Sequence, residues 1–76
     1  MTEITIKGPF IELSKLLKYS GLAQTGGEAK LAIEHGEIKL NGVVETRKGR
    51  KVRDSDRVEW AGRVITIKCR TSPLPG

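Results

Sequence analysis

Apolar and polar positions along the 76-residue chain change period several times, and each change predicts an element. Thr2–Lys7 alternates, with Ile4 and Ile6 on one side and Thr5 and Lys7 on the other, as in a short half-buried strand. Gly8-Pro9 ends it, because proline cannot donate to a strand ladder. Phe10, Leu13, Leu16 and Leu17 then fall on one helix face, which predicts a helix over Phe10–Tyr19 with Glu12, Lys15 and Lys18 off the stripe. Ser20-Gly21 stops it as a C-terminal glycine cap does, with Leu22 and Ala23 tucked beneath the turn. Ala29, Ala32 and Ile33 make a narrow stripe on a second helix, small enough for a close approach to the first. That helix opens on a capping box: the Thr25 hydroxyl accepts the N–H three residues on, and the Glu28 carboxylate returns to the Thr25 N–H. Gly36 ends it, with His35 in its last turn.

The period then drops to two. Ile38 and Leu40 alternate with Glu37 and Lys39, and Asn41-Gly42 follows, a strong hairpin signal because both turn residues must accept positive φ. Val43 and Val44 open the return strand. Arg47–Arg53 reads RKGRKVR, a basic loop, and Asp54-Ser55-Asp56 is a turn. Arg57–Trp60 and Arg63–Lys68 read as two strands around Ala61-Gly62, with Val58, Trp60, Val64 and either Ile65 or Ile67 facing the core. Residues 69–76 carry two prolines and little pattern, and read as a loose tail after a single domain over 1–68. The elements together predict an α+β fold, two short helices packed on a small, mostly antiparallel sheet.

Composition narrows the function classes. One cysteine, Cys69, rules out an intrachain disulfide or a thiolate metal cluster within one chain, and fits a reducing, cytoplasmic setting. The N-terminal residues lack the charged and apolar regions of a signal peptide, and no apolar run approaches a membrane span. Fourteen Lys and Arg against nine Asp and Glu give a net charge of +5, which favours an anionic partner. Five of the fourteen basic residues lie within Arg47–Arg53. Arg47, Lys48, Arg50, Lys51 and Arg53 are suited to neutralising phosphates, and Gly49 leaves the backbone free to follow a groove. The plain alternative is a solvated strand edge kept positive against strand addition, which does not require five charges.

The order helix, turn, capped helix ending in His35-Gly36, Ile38–Gly42 hairpin, basic segment and Asp54–Val58 resembles a known family. It is similar to the RNA-binding domain named after ribosomal small-subunit protein four, whose core is the αL motif, and within it to the small stand-alone bacterial YbcJ-like group. Glu28-Ala29, Ile33, Gly36, Ile38, Leu40, Asn41-Gly42 and Glu45–Val52 carry the likeness, over Phe10–Trp60. The resemblance implies that the two-helix face and adjoining β-loop bind structured RNA, ribosomal or transfer RNA in particular, with the ribosome itself a further partner. Many members carry a basic residue in the turn opening the second helix, where this chain has Thr25-Gly26-Gly27. Those glycines could instead let a phosphate approach the free N–H groups of the helix start.

Lys15 and Lys18 on the first helix, Lys30 on the second and Lys39 on the first hairpin strand are further candidates for the RNA-binding surface. Lys30 has a competing role in an exposed pair with Glu34. His35 has no cysteine or serine partner nearby in sequence and reads as a cap, and the Glu34–Glu37 pair reads as solvated charge. Trp60 reads as core rather than as a base-stacking platform, and Tyr19, near Lys15 and Lys18, reads as a half-buried ring, with stacking on RNA as its alternative. The expectation is a non-enzymatic RNA-binding monomer that needs no cofactor or metal and no membrane. Two other classes stay open. A DNA-reading helix-turn-helix would have to read bases with Gly26–His35, which is mostly Ala, Leu, Ile and Glu besides Lys30. A small protein-interaction or carrier domain would fit the C-terminal β-half, although sulfur carriers end in Gly-Gly.

Overall fold

The computed structural model describes residues 2–70. The elements in order are β1 (Thr2–Lys7), β2 (Phe10–Glu12), α1 (Leu13–Tyr19), α2 (Gly26–Glu34), β3 (Lys39–Leu40), β4 (Val43–Val44), β5 (Lys51–Arg53), β6 (Arg57–Trp60) and β7 (Arg63–Arg70). Five strands form one sheet in the order β1-β7-β6-β3-β4, and β2 pairs with β5 in a second ribbon. Only β1 and β7 run parallel among these pairs; the rest are antiparallel. The architecture is the α+β arrangement expected from the sequence.

The core lies between the helices and one face of the sheet. Leu13, Leu16 and Leu17 of α1 and Ala29, Ala32 and Ile33 of α2 are buried against Ile6, Ile38, Leu40, Val52, Val58, Ile65 and Ile67. The stripe of small residues on α2 performs the expected task, since Ala29 and Ala32 leave no bulk between the helices. Gly21, at φ +83, turns the chain after α1 and lets the Ala23 N–H reach the Leu17 carbonyl at 3.0 Å, which buries Ala23.

The helix expected over Phe10–Tyr19 is shorter. Phe10–Glu12 is extended and pairs antiparallel with Lys51–Arg53, Ile11 lying opposite Val52. The periodicity that suggested a longer helix is carried by Leu13, Leu16 and Leu17, and Phe10 matched it by coincidence. The helix starts where it does because the backbone N–H groups of Leu13 and Ser14 donate to the carbonyls of Arg50 (2.8 Å) and Lys48 (3.1 Å). These are N–H groups that an α-helix cannot satisfy internally.

Three other expectations are corrected. The Ala61-Gly62 turn, with both residues at positive φ, sets Trp60 opposite Arg63 and hence Val58 opposite Ile65. Odd-numbered residues of β7 therefore face the core: Ile65 and Ile67 are both buried there, while Val64 pairs with Glu59 on the outer face. Strand β7 also continues through Cys69 and Arg70, opposite Ile6 and Lys7 of β1, so these two residues are not tail. The other residues assigned to the tail, 71–76, lie outside the described residues. The Glu28 carboxylate of the capping box accepts from the Gln24 N–H (2.7 Å), not from Thr25, while the Thr25 hydroxyl accepts from the Glu28 N–H (3.1 Å) as expected.

Candidate nucleic-acid interface

The candidate interface is built by the segment between β4 and β6. Asn41 (φ 54) and Gly42 (φ 84) form the tight turn that sends the chain back along β4. Glu45 N–H then bonds to the Ile38 carbonyl at 2.9 Å, closing the hairpin. Beyond it the chain crosses to the helices. The Lys48 and Arg50 carbonyls receive the N–H groups opening α1, so this segment is fixed by its backbone and its side chains are left to point outward. Arg47, Lys48, Arg50, Lys51 and Arg53 are all exposed. What looks like a uniform basic loop is half strand, because Val52 is fully buried and Lys51–Arg53 is paired.

The exit of this segment is fixed as firmly as its entry. The Asp56 carboxylate accepts the Arg53 N–H (2.8 Å) and the Asn41 side-chain amide (3.0 Å), and Asn41 in turn accepts the Arg57 N–H (2.9 Å). The Asn41-Gly42 turn and the end of the basic segment are thereby tied together. Asp54 accepts the Cys69 N–H at 2.8 Å. That bond, the Ser55 hydroxyl and Lys68 hold the Asp54 carboxyl below its ordinary range. The Cys69 thiol is pushed up by burial and by the nearby Asp54 and Asp56 carboxylates.

Arg47, Gly49, Arg50, Lys51, Arg53 and Asp56 line a shallow cleft. Four cations thus converge on one depression. The ion pairs of the segment's side chains are all long. The half-buried Glu45 carboxylate lies 3.9 Å from Arg47 and 3.7 Å from Arg50, and Glu34 lies 3.9 Å from Lys48. The Lys48–Glu34 pair is exposed on both sides, and such pairs contribute about 0–1 kcal/mol, so a phosphate can displace Glu34 from Lys48. Among the described residues the Lys51 ammonium and the Arg53 guanidinium form no ion pair with a carboxylate.

The remaining candidates divide by position. Lys15 is in the first turn of α1, next to Ser14, whose N–H holds Lys48, and pairs loosely with Glu12 at 3.8 Å. Lys18 follows one turn later on the same exposed face. Lys30 does not carry the pair with Glu34, which goes to Lys48; it is exposed one turn away on α2. These three extend the cationic surface along the helices. Thr25, Gly26 and Gly27 lie at the opposite end of α2 from Glu34, about 12 Å away at 1.5 Å per residue. The Glu28 carboxylate already sits at that helix start. Lys39 is on the outer face of the sheet, in a row with Val44 and Glu59 and away from the helices. Neither Lys39 nor Thr25–Gly27 shares the cleft.

Sequence reasoning missed the roles of Glu45 and Asp56, whose carboxylates accept the backbone N–H groups of Arg47 (3.1 Å) and Arg53 (2.8 Å) and so hold the basic segment in place. An acidic residue at each flank of a cationic run was the available signal. Tyr19, expected half-buried, is 64% exposed, and Trp60 is partly buried with its indole N–H donating to Glu37 at 3.1 Å. Among the described residues no group of three His, Cys, Asp or Glu side chains could hold a metal ion, and no helix is long and apolar enough to cross a membrane.

The S4 domain sequence family matches residues 4–68. YbcJ of Escherichia coli and YbcJ of Shigella flexneri are each 41% identical to the chain over 61 residues, covering 80% of it and 87% of their own length. The solution structure of E. coli YbcJ, described as revealing an αL motif involved in RNA binding, superposes with a TM-score of 0.70. That structure is 38% identical in sequence, with 90% of this chain and 87% of the other covered.

Proposed function

The chain belongs to the S4 domain family, and from that premise we propose that it binds structured RNA without catalysing a reaction on it. Ribosomal and transfer RNA are the first candidates, and association with the ribosome follows if ribosomal RNA is the target. The observation that supports the reading is the Arg47–Arg53 segment, pinned by its carbonyls to the start of α1, with four of its five cations converging on one cleft. A pre-ordered cationic ridge beside two exposed helix faces suits an A-form duplex or junction. Such RNA is recognised through its backbone and shape, because its major groove is too narrow for side chains.

The exposed face of α2 argues against the DNA-reading alternative. Glu28 and Glu34 are exposed on it, and both would meet phosphates if the helix entered a DNA major groove. The test is equilibrium binding to a structured ribosomal RNA fragment and to duplex DNA of equal length. The expected result is tighter binding to the RNA. Equal or tighter binding to the DNA would overturn the reading. Crosslinking in cells followed by sequencing of the bound RNA then identifies the target.

A further inference from the structure

A second recess adjoins the cationic cleft and is apolar. Ile6, Lys7, Phe10, Ile11 and Tyr19 line it, between the end of β1, the β2 ribbon and the last turn of α1. Two of the three aromatic residues of the chain are here, and both are exposed, Phe10 by 38% and Tyr19 by 64%. Neither ring is needed to fill the core, which closes without them. The Tyr19 hydroxyl donates to the Thr5 carbonyl at 3.4 Å, which lays the ring along β1 and leaves its face to solvent. The Lys51 ammonium stands 4.9 Å from the centre of the Phe10 ring. Lys51 lines the cationic cleft and Phe10 lines the aromatic recess, so the contact between these two side chains links the recesses. No carboxylate lines the aromatic recess.

We propose that this recess takes one unpaired base of the bound RNA, stacked on Tyr19, while Lys51 and Lys7 hold the adjoining phosphates. The inference rests on the RNA-binding reading above and deepens it, because it names the kind of RNA preferred: a duplex or junction interrupted by an unpaired nucleotide. An aromatic face beside cations is the arrangement that holds single-stranded nucleotides without reading their identity. Continuity with the cleft decides for a nucleotide over a peptide side chain, since a strand leaving the cleft past Lys51 arrives at the Phe10–Tyr19 wall.

The test compares a fully paired RNA hairpin with the same hairpin carrying one bulged 2-aminopurine. The full chain, Tyr19→Ala and Tyr19→Phe are each titrated with both. The unaltered protein is expected to prefer the bulged RNA by about fivefold to a hundredfold, the range for one base on one aromatic side chain, and to change the 2-aminopurine emission. Tyr19→Ala is expected to bind both RNAs as the unaltered protein binds the paired one. Tyr19→Phe keeps the preference, because the ring and not the bond to Thr5 carries it. Three results overturn the proposal: equal affinity of the unaltered protein for the two RNAs, a bulge preference that survives in Tyr19→Ala, or equal weakening of both RNAs by that change. In each of these the paired hairpin still binds and the broader reading stands. Failure to bind either RNA removes both.

Discussion

Gly42 offers a clean test of the hairpin that launches the basic segment. Its φ is +84°, and a Cβ built there meets no atom within 4 Å. A substitution at this position is therefore opposed by backbone conformation and not by packing. A non-glycine residue in the left-handed region costs about 1–2 kcal/mol, and a β-branched one lies at the upper end. In a domain of this size each kcal/mol moves the melting temperature by about 4–8 °C. Gly42→Val is thus expected to lower Tm by about 5–15 °C. Gly49 supplies the control. It too would meet nothing with an added Cβ, but it does not have positive φ. Gly49→Val is expected to leave Tm nearly unchanged, because the side chain also restricts the unfolded chain. Thermal unfolding followed by circular dichroism measures both. A drop for Gly42→Val no larger than that for Gly49→Val would refute the assignment of strain to the turn.

The turn between β6 and β7 has the same conformation, but with Ala61 (φ 53) where the first has Asn41. Asn tolerates this region better, so Ala61→Asn is expected to raise Tm by a few degrees in the same assay. Val52 is fully buried in the middle of the cationic segment; Val52→Ala is expected to destabilise by about 2 kcal/mol, measured by urea unfolding. The Asp54 carboxyl ionises below its ordinary 3.8, chiefly because the Cys69 N–H bonds to it. A lowered folded-state pKa contributes stability above the unfolded value and loses it as pH falls through the folded one. Tm is accordingly expected to fall on acidification below about pH 3.8, and to fall less steeply in Asp54→Asn.

Local signals located most of the elements because the chain states them within a few residues. Thr25 caps α2, Gly21 and Gly36 turn the chain after the helices, and Asn41-Gly42 makes the turn its dipeptide predicts. What escaped depends on contacts distant in sequence. The extended state of Phe10–Glu12 is decided by pairing with Lys51–Arg53, some forty residues away. The parallel pairing of β1 with β7 joins the two ends of the described chain, so no turn could announce it. The face of β7 follows from the register of a two-residue turn, which Ile65, Ile67 and Val64, all apolar, could not distinguish. In the candidate site the cations of Arg47–Arg53 were legible as a run of charge. Their division into an anchored loop and a paired strand was not, because it hangs on the burial of Val52 and on backbone bonds to Leu13 and Ser14. Lys39 was outward-facing as expected, but the outward face of the sheet is not the face on which the cleft is built.

The central claim is that the Arg47–Arg53 segment grips RNA phosphates. Replacing Arg47, Lys48, Arg50 and Lys51 together with Ala tests it directly. The bonds that dock the segment on α1 use the Lys48 and Arg50 carbonyls, which alanine retains, so the circular dichroism spectrum is expected to persist. Affinity for a structured RNA is measured at several salt concentrations. Each phosphate contact releases condensed counterions and contributes about −0.7 to −0.9 to the slope of log affinity against log salt. The quadruple variant is expected to bind all RNAs more weakly, with a slope flatter by about two to four units. An unchanged slope and affinity, with a new tendency of the variant to self-associate, would instead make these charges guards of a strand edge and contradict the account.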